Sequence, residues 1–252
     1  MREFFSAHNG NSARFMMFSP LHFGVLLGVC VILFAIFVFR KTLRQYIDIY
    51  RYCIAILAIV IECSYLVWLV KAGKWNFRTS LPLELCEITL ILCILMLIAK
   101  SARTRDKIFE TAYFWGLIGS TLALLFPNLH ISYRHFPFWV FMLTHAINLI
   151  SLAFVIFVEK YRPTYKSIRM AFIITNFYMV CIASLNHCLG SNYYFYYLFS
   201  RPAPNIPNPL QFTDTWFIKI GIIEGITLTA LLTCYLPFSI ANHFMKKHTE
   251  SL

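Results

Sequence analysis

The chain has 252 residues, of which 59% are hydrophobic and only 13% charged, with a mean hydropathy of +0.66 and a formal net charge of +11. A soluble domain carries about 25% charged residues, so this composition excludes an ordinary water-soluble fold. The positive balance does not mark a nucleic-acid binder. The cations stand in short clusters between apolar blocks, where anionic headgroups and the positive-inside rule account for them, and no basic face interleaved with stacking aromatics is present.

The apolar blocks predict seven transmembrane helices, in chain order 20–39, 48–70, 80–99, 108–126, 136–158, 167–189 and 213–238. Each is long enough to cross ~30 Å of hydrocarbon. Backbone groups in lipid must be satisfied within their own segment, so the blocks are read as helices. The expected fold is all-α: a single polytopic membrane domain over 1–252. Residues 1–19 contain Arg2, Glu3, His8 and Arg14 and no small-residue cleavage site, so the first block is expected to stay as an anchor rather than leave as a signal peptide.

One set of loops holds 14 Lys and Arg residues, beginning with Arg40, Lys41, Arg44 and Arg51, and the other holds 8. The richer side is expected in the cytoplasm. That puts the N-terminus outside and the C-terminus inside a cell-membrane protein. Trp68, Trp75, Trp139, Trp216 and the run Tyr193–Tyr197 fall near the expected outer boundary, the depth aromatic rings prefer. Four prolines between 202 and 209 predict an irregular outer loop over 190–212.

Polar residues inside a bilayer mark function or helix packing. Here they gather at one depth. Glu62, Glu84, Cys86, Glu87, His145, Asn148, Asn186, His187, Lys219 and Glu224 all fall on the expected outer side, which predicts a polar cavity open to the outer leaflet. None of the eight cysteines forms a CxxC pair, so a zinc ribbon or thioredoxin-type site is not expected.

Cys86 has two readings. It either packs as a small hydrophobe or acts as a nucleophile activated by a base. The neighbouring carboxylates oppose ionisation, because like charges repel, so the second reading requires a histidine. His145, at comparable depth, is the candidate base. Asn148, one turn away on the same face, either orients the imidazole or joins helices. Glu84 and Glu87 share a face at i, i+3. With His145 they also admit a divalent metal, a reading ranked behind the others. Cys188 is a possible disulfide partner for Cys86.

Several short segments together carry a resemblance: Leu81-Pro-Leu-Glu-Leu-Cys86, Phe126-Pro-Asn128, His135-Phe-Pro-Phe138 through Thr144-His145, and Ser191-Asn192-Tyr193 followed by Pro202. In order and spacing the chain resembles the YwaF-like bacterial integral membrane proteins, a family with a eukaryotic lipid-remodelling branch. The resemblance implies an acyltransferase that moves fatty acyl chains between membrane phospholipids through a membrane cysteine, with no bound cofactor. Cys86 would be the nucleophile and His145 the base. Asn192 and Tyr193 would shape the mouth of the site, and Glu84, Glu87, Asn128, Asn148 and His187, read from the sequence itself, are expected to bind substrate with them. Glu84 departs from the bacterial pattern, where histidine is common. The other class of function open to this sequence is a non-enzymatic lipid or small-molecule binder, receptor or transporter using the same cavity.

Overall fold

The computed structural model describes residues 4–6, 15–129, 131–193 and 215–250, without the side chains of Trp216 and 245–250. Eight α-helices make up the described residues: α1 Pro20–Val38, α2 Arg40–Gln45, α3 Ile47–Lys71, α4 Leu85–Ile98, α5 Ala102–Leu125, α6 Phe136–Phe154, α7 Tyr165–Leu189 and α8 Trp216–Glu250. No strand occurs among the described residues. Six helices (α1, α3, α5, α6 with its extension, α7 and α8) are long and apolar enough to cross a membrane, as a multi-pass membrane protein requires.

Three of the expected helices differ at their ends: the last, expected over 213–238, runs as α8 from Trp216 through Pro237 to Glu250, and two others differ for local reasons. The third block, expected over 80–99, is helical only from Leu85 to Ile98. Pro82 lacks an N–H and drives the residue before it away from helical angles. At about 1.5 Å per residue the 14 residues of α4 reach about 21 Å, short of the ~30 Å core. The fourth block, expected over 108–126, starts earlier, with α5 beginning at Ala102. Ser101 caps it, its side chain accepting from the Thr104 N–H, and Arg103, Arg105, Asp106 and Lys107 continue the helix.

Other termini follow capping chemistry. Ser19 accepts from the His22 N–H ahead of Pro20 at the first helical position of α1. Thr164 and Ser167 form a reciprocal capping box on α7, which ends on left-handed Gly190 at φ +62°. α6 runs on as a π-helical turn, Val155–Glu159, and stops at Lys160, a non-glycine residue with φ 66°. Of the expected outer loop, only Gly190–Tyr193 is described. The aromatic run past Tyr193 and the prolines at 202–209 lie outside the described residues.

The chain divides into two compact units, Met1–Trp75 with Leu85–Arg162, and Asn76–Glu84 with Pro163–Leu252. In the first, α6 is the central helix. It packs on α1 and α5 through Val29, Leu124, Phe138, Met142 and Ala146, and on α3 and α4 through Ala58, Leu90 and Ile147. His22, fully buried, ties α1 to α5. Its Nδ1 accepts the Phe18 N–H and its Nε2 donates to the Leu124 carbonyl at 2.7 Å. In the second unit α7 packs on α8, where Asn176 donates to the Glu224 carboxylate at 3.1 Å.

Candidate functional site

Close approach of α4, α5 and α6 in the first unit depends on the small residues of α5. A methyl group at Gly116 would lie 2.7 Å from Leu152 on α6 and 3.0 Å from Thr89 on α4, and one at Gly119 would lie 3.2 Å from the Cys86 sulfur. Small residues at four-residue spacing, here Gly116 and Ser120, let membrane helices pack backbone to backbone. Cys86 is the second residue of α4, and its thiol therefore rests against the bare backbone of Gly119.

Asn148, fully buried on α6, joins the three helices. Its amide donates to the Cys86 carbonyl and to the Ser120 hydroxyl, both at 3.1 Å. One turn away on the same face, His145 is 6% exposed, and its Nδ1 lies 2.6 Å from the Phe141 carbonyl. A carbonyl only accepts, so Nδ1 carries a proton, and in the neutral imidazole Nε2 keeps its lone pair. The imidazole also packs on the Phe141 ring at 4.2 Å between centroids, which holds its orientation. The first unit thus presents a half-buried thiol at a helix start, a buried amide on that residue's carbonyl, and a histidine poised in the basic tautomer.

On the α3 side Glu62 is half-buried, as is Glu87 on α4. The Tyr65 ring stacks on Trp68 with centroids 6.0 Å apart and planes 9° from parallel. Beyond Trp68 opens an apolar groove of about 800 Å³ lined by Phe5, Cys63, Ser64, Val67, Trp68, Lys71, Ala72 and Phe136. The segment Phe4–Phe5 straps across it. The Trp68 indole donates to the Phe5 carbonyl at 3.0 Å and the Phe136 N–H to the Phe4 carbonyl at 2.8 Å. The Lys74 ammonium sits 5.6 Å from the Trp68 ring.

The other expected residues divide between the two units. Asn128 is exposed in the α5–α6 connection of the first unit. Glu84, His187, Asn192 and Tyr193 belong to the second unit, where His187 and Asn192 are exposed and Glu84 is half-buried. Tyr193 is buried and fully engaged with backbone. Its hydroxyl donates to the Phe77 carbonyl at 2.6 Å and accepts the Leu81 N–H at 3.0 Å. Asn186 completes the clasp, accepting the Tyr193 N–H and donating to its carbonyl, each at 2.9 Å. All eight cysteines are thiols, Cys86 and Cys188 included. No group of three or more His, Cys, Asp or Glu suited to a metal ion occurs among the described residues.

Sequence reasoning missed Gly119 and Ser120, although the small-residue spacing in Gly116-Leu-Ile-Gly-Ser120 was there to find. It also missed a buried ion-pair layer at the opposite end of the first unit. There Glu159 pairs with Arg51 at 3.5 Å and Arg105 at 3.1 Å, and Arg51 caps the end of α4 by donating to the Leu97 and Ala99 carbonyls at 2.6 Å each.

The TMEM164 family matches residues 17–235. The chain belongs to the TMEM164 family. It is also similar to an uncharacterized protein of Treponema pallidum (strain Nichols), 26% identical over 243 residues that cover 94% of this chain and 95% of that one. No solved structure matches it. Family membership spans every element described here except the N-terminal strap and the end of α8. It establishes a membrane protein family and leaves the narrower YwaF-like resemblance to the functional reading.

Proposed function

We propose that this TMEM164 family member is a membrane-embedded acyltransferase that carries a fatty acyl chain between phospholipids on Cys86. The observation that carries the reading is the trio on α4 and α6. Asn148 holds the backbone of Cys86, and His145 on the same face of α6 keeps an unprotonated Nε2. The YwaF-like resemblance supplies the same nucleophile and base independently of this geometry.

In the first half-reaction His145 Nε2 takes the thiol proton and the Cys86 thiolate attacks the donor ester carbonyl. The first-turn amides of α4 have no partners within the helix and are suited to the oxyanion. The C–O bond breaks, His145 returns its proton to the departing lysophospholipid oxygen, and a thioester remains on Cys86. In the second half-reaction His145 takes the proton of an acceptor hydroxyl, the alkoxide attacks the thioester, a new ester forms, and the thiolate is reprotonated. No cofactor enters the balance. The charge asymmetry of the loops orients this end of the helices away from the cytoplasm, toward the outer leaflet of the cell membrane.

A second reading is a lipid-binding protein without turnover. The observation that favours it is the 800 Å³ groove, which is apolar along its length and has Lys71 in its lining. Intact mass of the purified protein after incubation with native lipids separates the two. The enzyme gains a fatty-acyl increment that hydroxylamine removes and that Cys86→Ser lacks while still folding. A protein that retains lipid noncovalently, with an unreactive Cys86, is the binder instead.

A further inference from the structure

The end of the first unit opposite Cys86 contains a second cavity, of about 490 Å³, between the π-helical end of α6, the start of α5 and the end of α2. Its charge is unbalanced. Beneath it two guanidiniums, buried Arg51 and half-buried Arg105, share one carboxylate, Glu159, whose side chain is 3% exposed. The other acid on Arg51, Asp48, is 71% exposed. A buried charge is costly unless compensated, so the floor of the cavity keeps a positive field. Arg44 and Lys160 stand exposed on its rim with no ion-pair partner among the described residues. Arg162 also lines it, and Asp106 is the one lining carboxylate not held by an arginine. Lys160 adopts the left-handed conformation that glycine takes at lower cost. Lys160, which lines the cavity, thus puts a cation at a position where a neutral glycine would fit more easily.

The geometry points to a binding site for a phosphate-bearing anion in this cavity, separate from the acyl-transfer site. Guanidinium and ammonium groups around a concave, solvent-accessible space are the donors that recognise phosphate oxygens, and the volume lies within the range of small-ligand pockets. The phosphate belongs either to an anionic phospholipid headgroup in the adjoining leaflet or to a soluble phosphate compound. The site is independent of Cys86 and holds whether or not the chain transfers acyl groups.

The test uses the full chain in nanodiscs of phosphatidylcholine with 20% phosphatidylglycerol, with native mass spectrometry of the lipids it keeps on release. A parallel arm measures thermal stabilisation by inorganic pyrophosphate in pure phosphatidylcholine. The expected result is at least about fivefold retention of phosphatidylglycerol over its share of the bilayer. Arg44→Gln/Lys160→Gln should abolish that preference, and Asp106→Asn should increase it. Pyrophosphate stabilisation lost in the double variant, without lipid preference, supports the site with a soluble ligand. Should the double variant fold poorly, the Asp106→Asn gain alone carries the test. No anion preference in either arm, or a preference untouched by both variants, overturns the proposal.

Discussion

At Cys86 the physical question is what distinguishes one thiol among eight. Cys93 is fully buried and Cys234 half-buried, while Cys30, Cys53, Cys63, Cys181 and Cys188 are exposed on helix surfaces. Cys86 alone lies at a helix start with its sulfur against a glycine and its carbonyl held by a buried amide. A methyl group at Gly119 would come within 3.2 Å of that sulfur, tight enough to move the thiol a few tenths of an ångström. Gly119→Ala is therefore expected to slow labelling of Cys86 by a thiol-reactive lipid analogue several-fold, with the melting temperature nearly unchanged. Equal labelling rates would mean that the sulfur has room to turn aside. Asn148→Ala removes both cross-helix bonds, and polar contacts between membrane helices are worth about 0.6 kcal/mol and at most about 1.7. A modest loss of stability with a larger loss of labelling is expected, because the same amide positions the residue that reacts.

Among the helices, the tightest constraint is at Gly116. Leu152 can swing its methyl aside, but Thr89 is β-branched and stiff, and a methyl group at Gly116 would meet both. Gly116→Val is expected to destabilise the α4–α5–α6 contact by about 1–3 kcal/mol, the cost of overpacking, read as a lower unfolding midpoint in detergent. In the second unit the clasp between the 77–81 segment and the end of α7 rests on the Tyr193 hydroxyl. Tyr193→Phe leaves the Leu81 N–H and the Phe77 carbonyl without that partner and is expected to cost about 1–3 kcal/mol. Most helices were legible as blocks of apolar residues, since hydropathy at bilayer length is a strong signal. The ends were less so. Pro82 shortened α4, while Ser101 and a run of charged helix formers lengthened α5, both local effects that a hydropathy reading passes over. In the candidate site, Cys86, His145 and Asn148 were legible as costly polar residues at one depth. Glycines carry no such mark, and Tyr193, expected to line the site, instead spends its hydroxyl on backbone groups.

For the whole molecule, the buried charges at the Glu159 end set an asymmetry that topology must respect. Glu159→Gln would leave buried Arg51 and half-buried Arg105 without their shared carboxylate, and for the buried Arg51 pair the cost of such a break is about 3–5 kcal/mol. Asp48→Asn removes a carboxylate that is 71% exposed, for which about 0–1 kcal/mol is expected. The larger consequence concerns the number of crossings. Six helices are long enough to span the membrane, and α4, at 14 residues, is the odd one. With α4 as a crossing, the two termini lie on opposite sides. If it only enters and returns, they lie on the same side. Arg51 speaks for a crossing. It lies near the start of α3 yet donates to the carbonyls at the end of α4, so within the first unit α4 ends beside the start of α3, at the end of the unit that carries the basic cluster. The segment before α4 follows the far end of α3, so α4 runs antiparallel to that helix over its 14 residues. Seven crossings would place the N-terminus outside and the C-terminal end in the cytoplasm, the orientation expected from 14 cations against 8 on the two sides of the sequence. Reporter fusions at the two termini, paired with a membrane-impermeant thiol reagent on single cysteines placed at Lys74 and Arg103, are expected to read opposite sides at both pairs. Termini on one side, with Lys74 and Arg103 positions equally reactive, would show that α4 turns back within the bilayer.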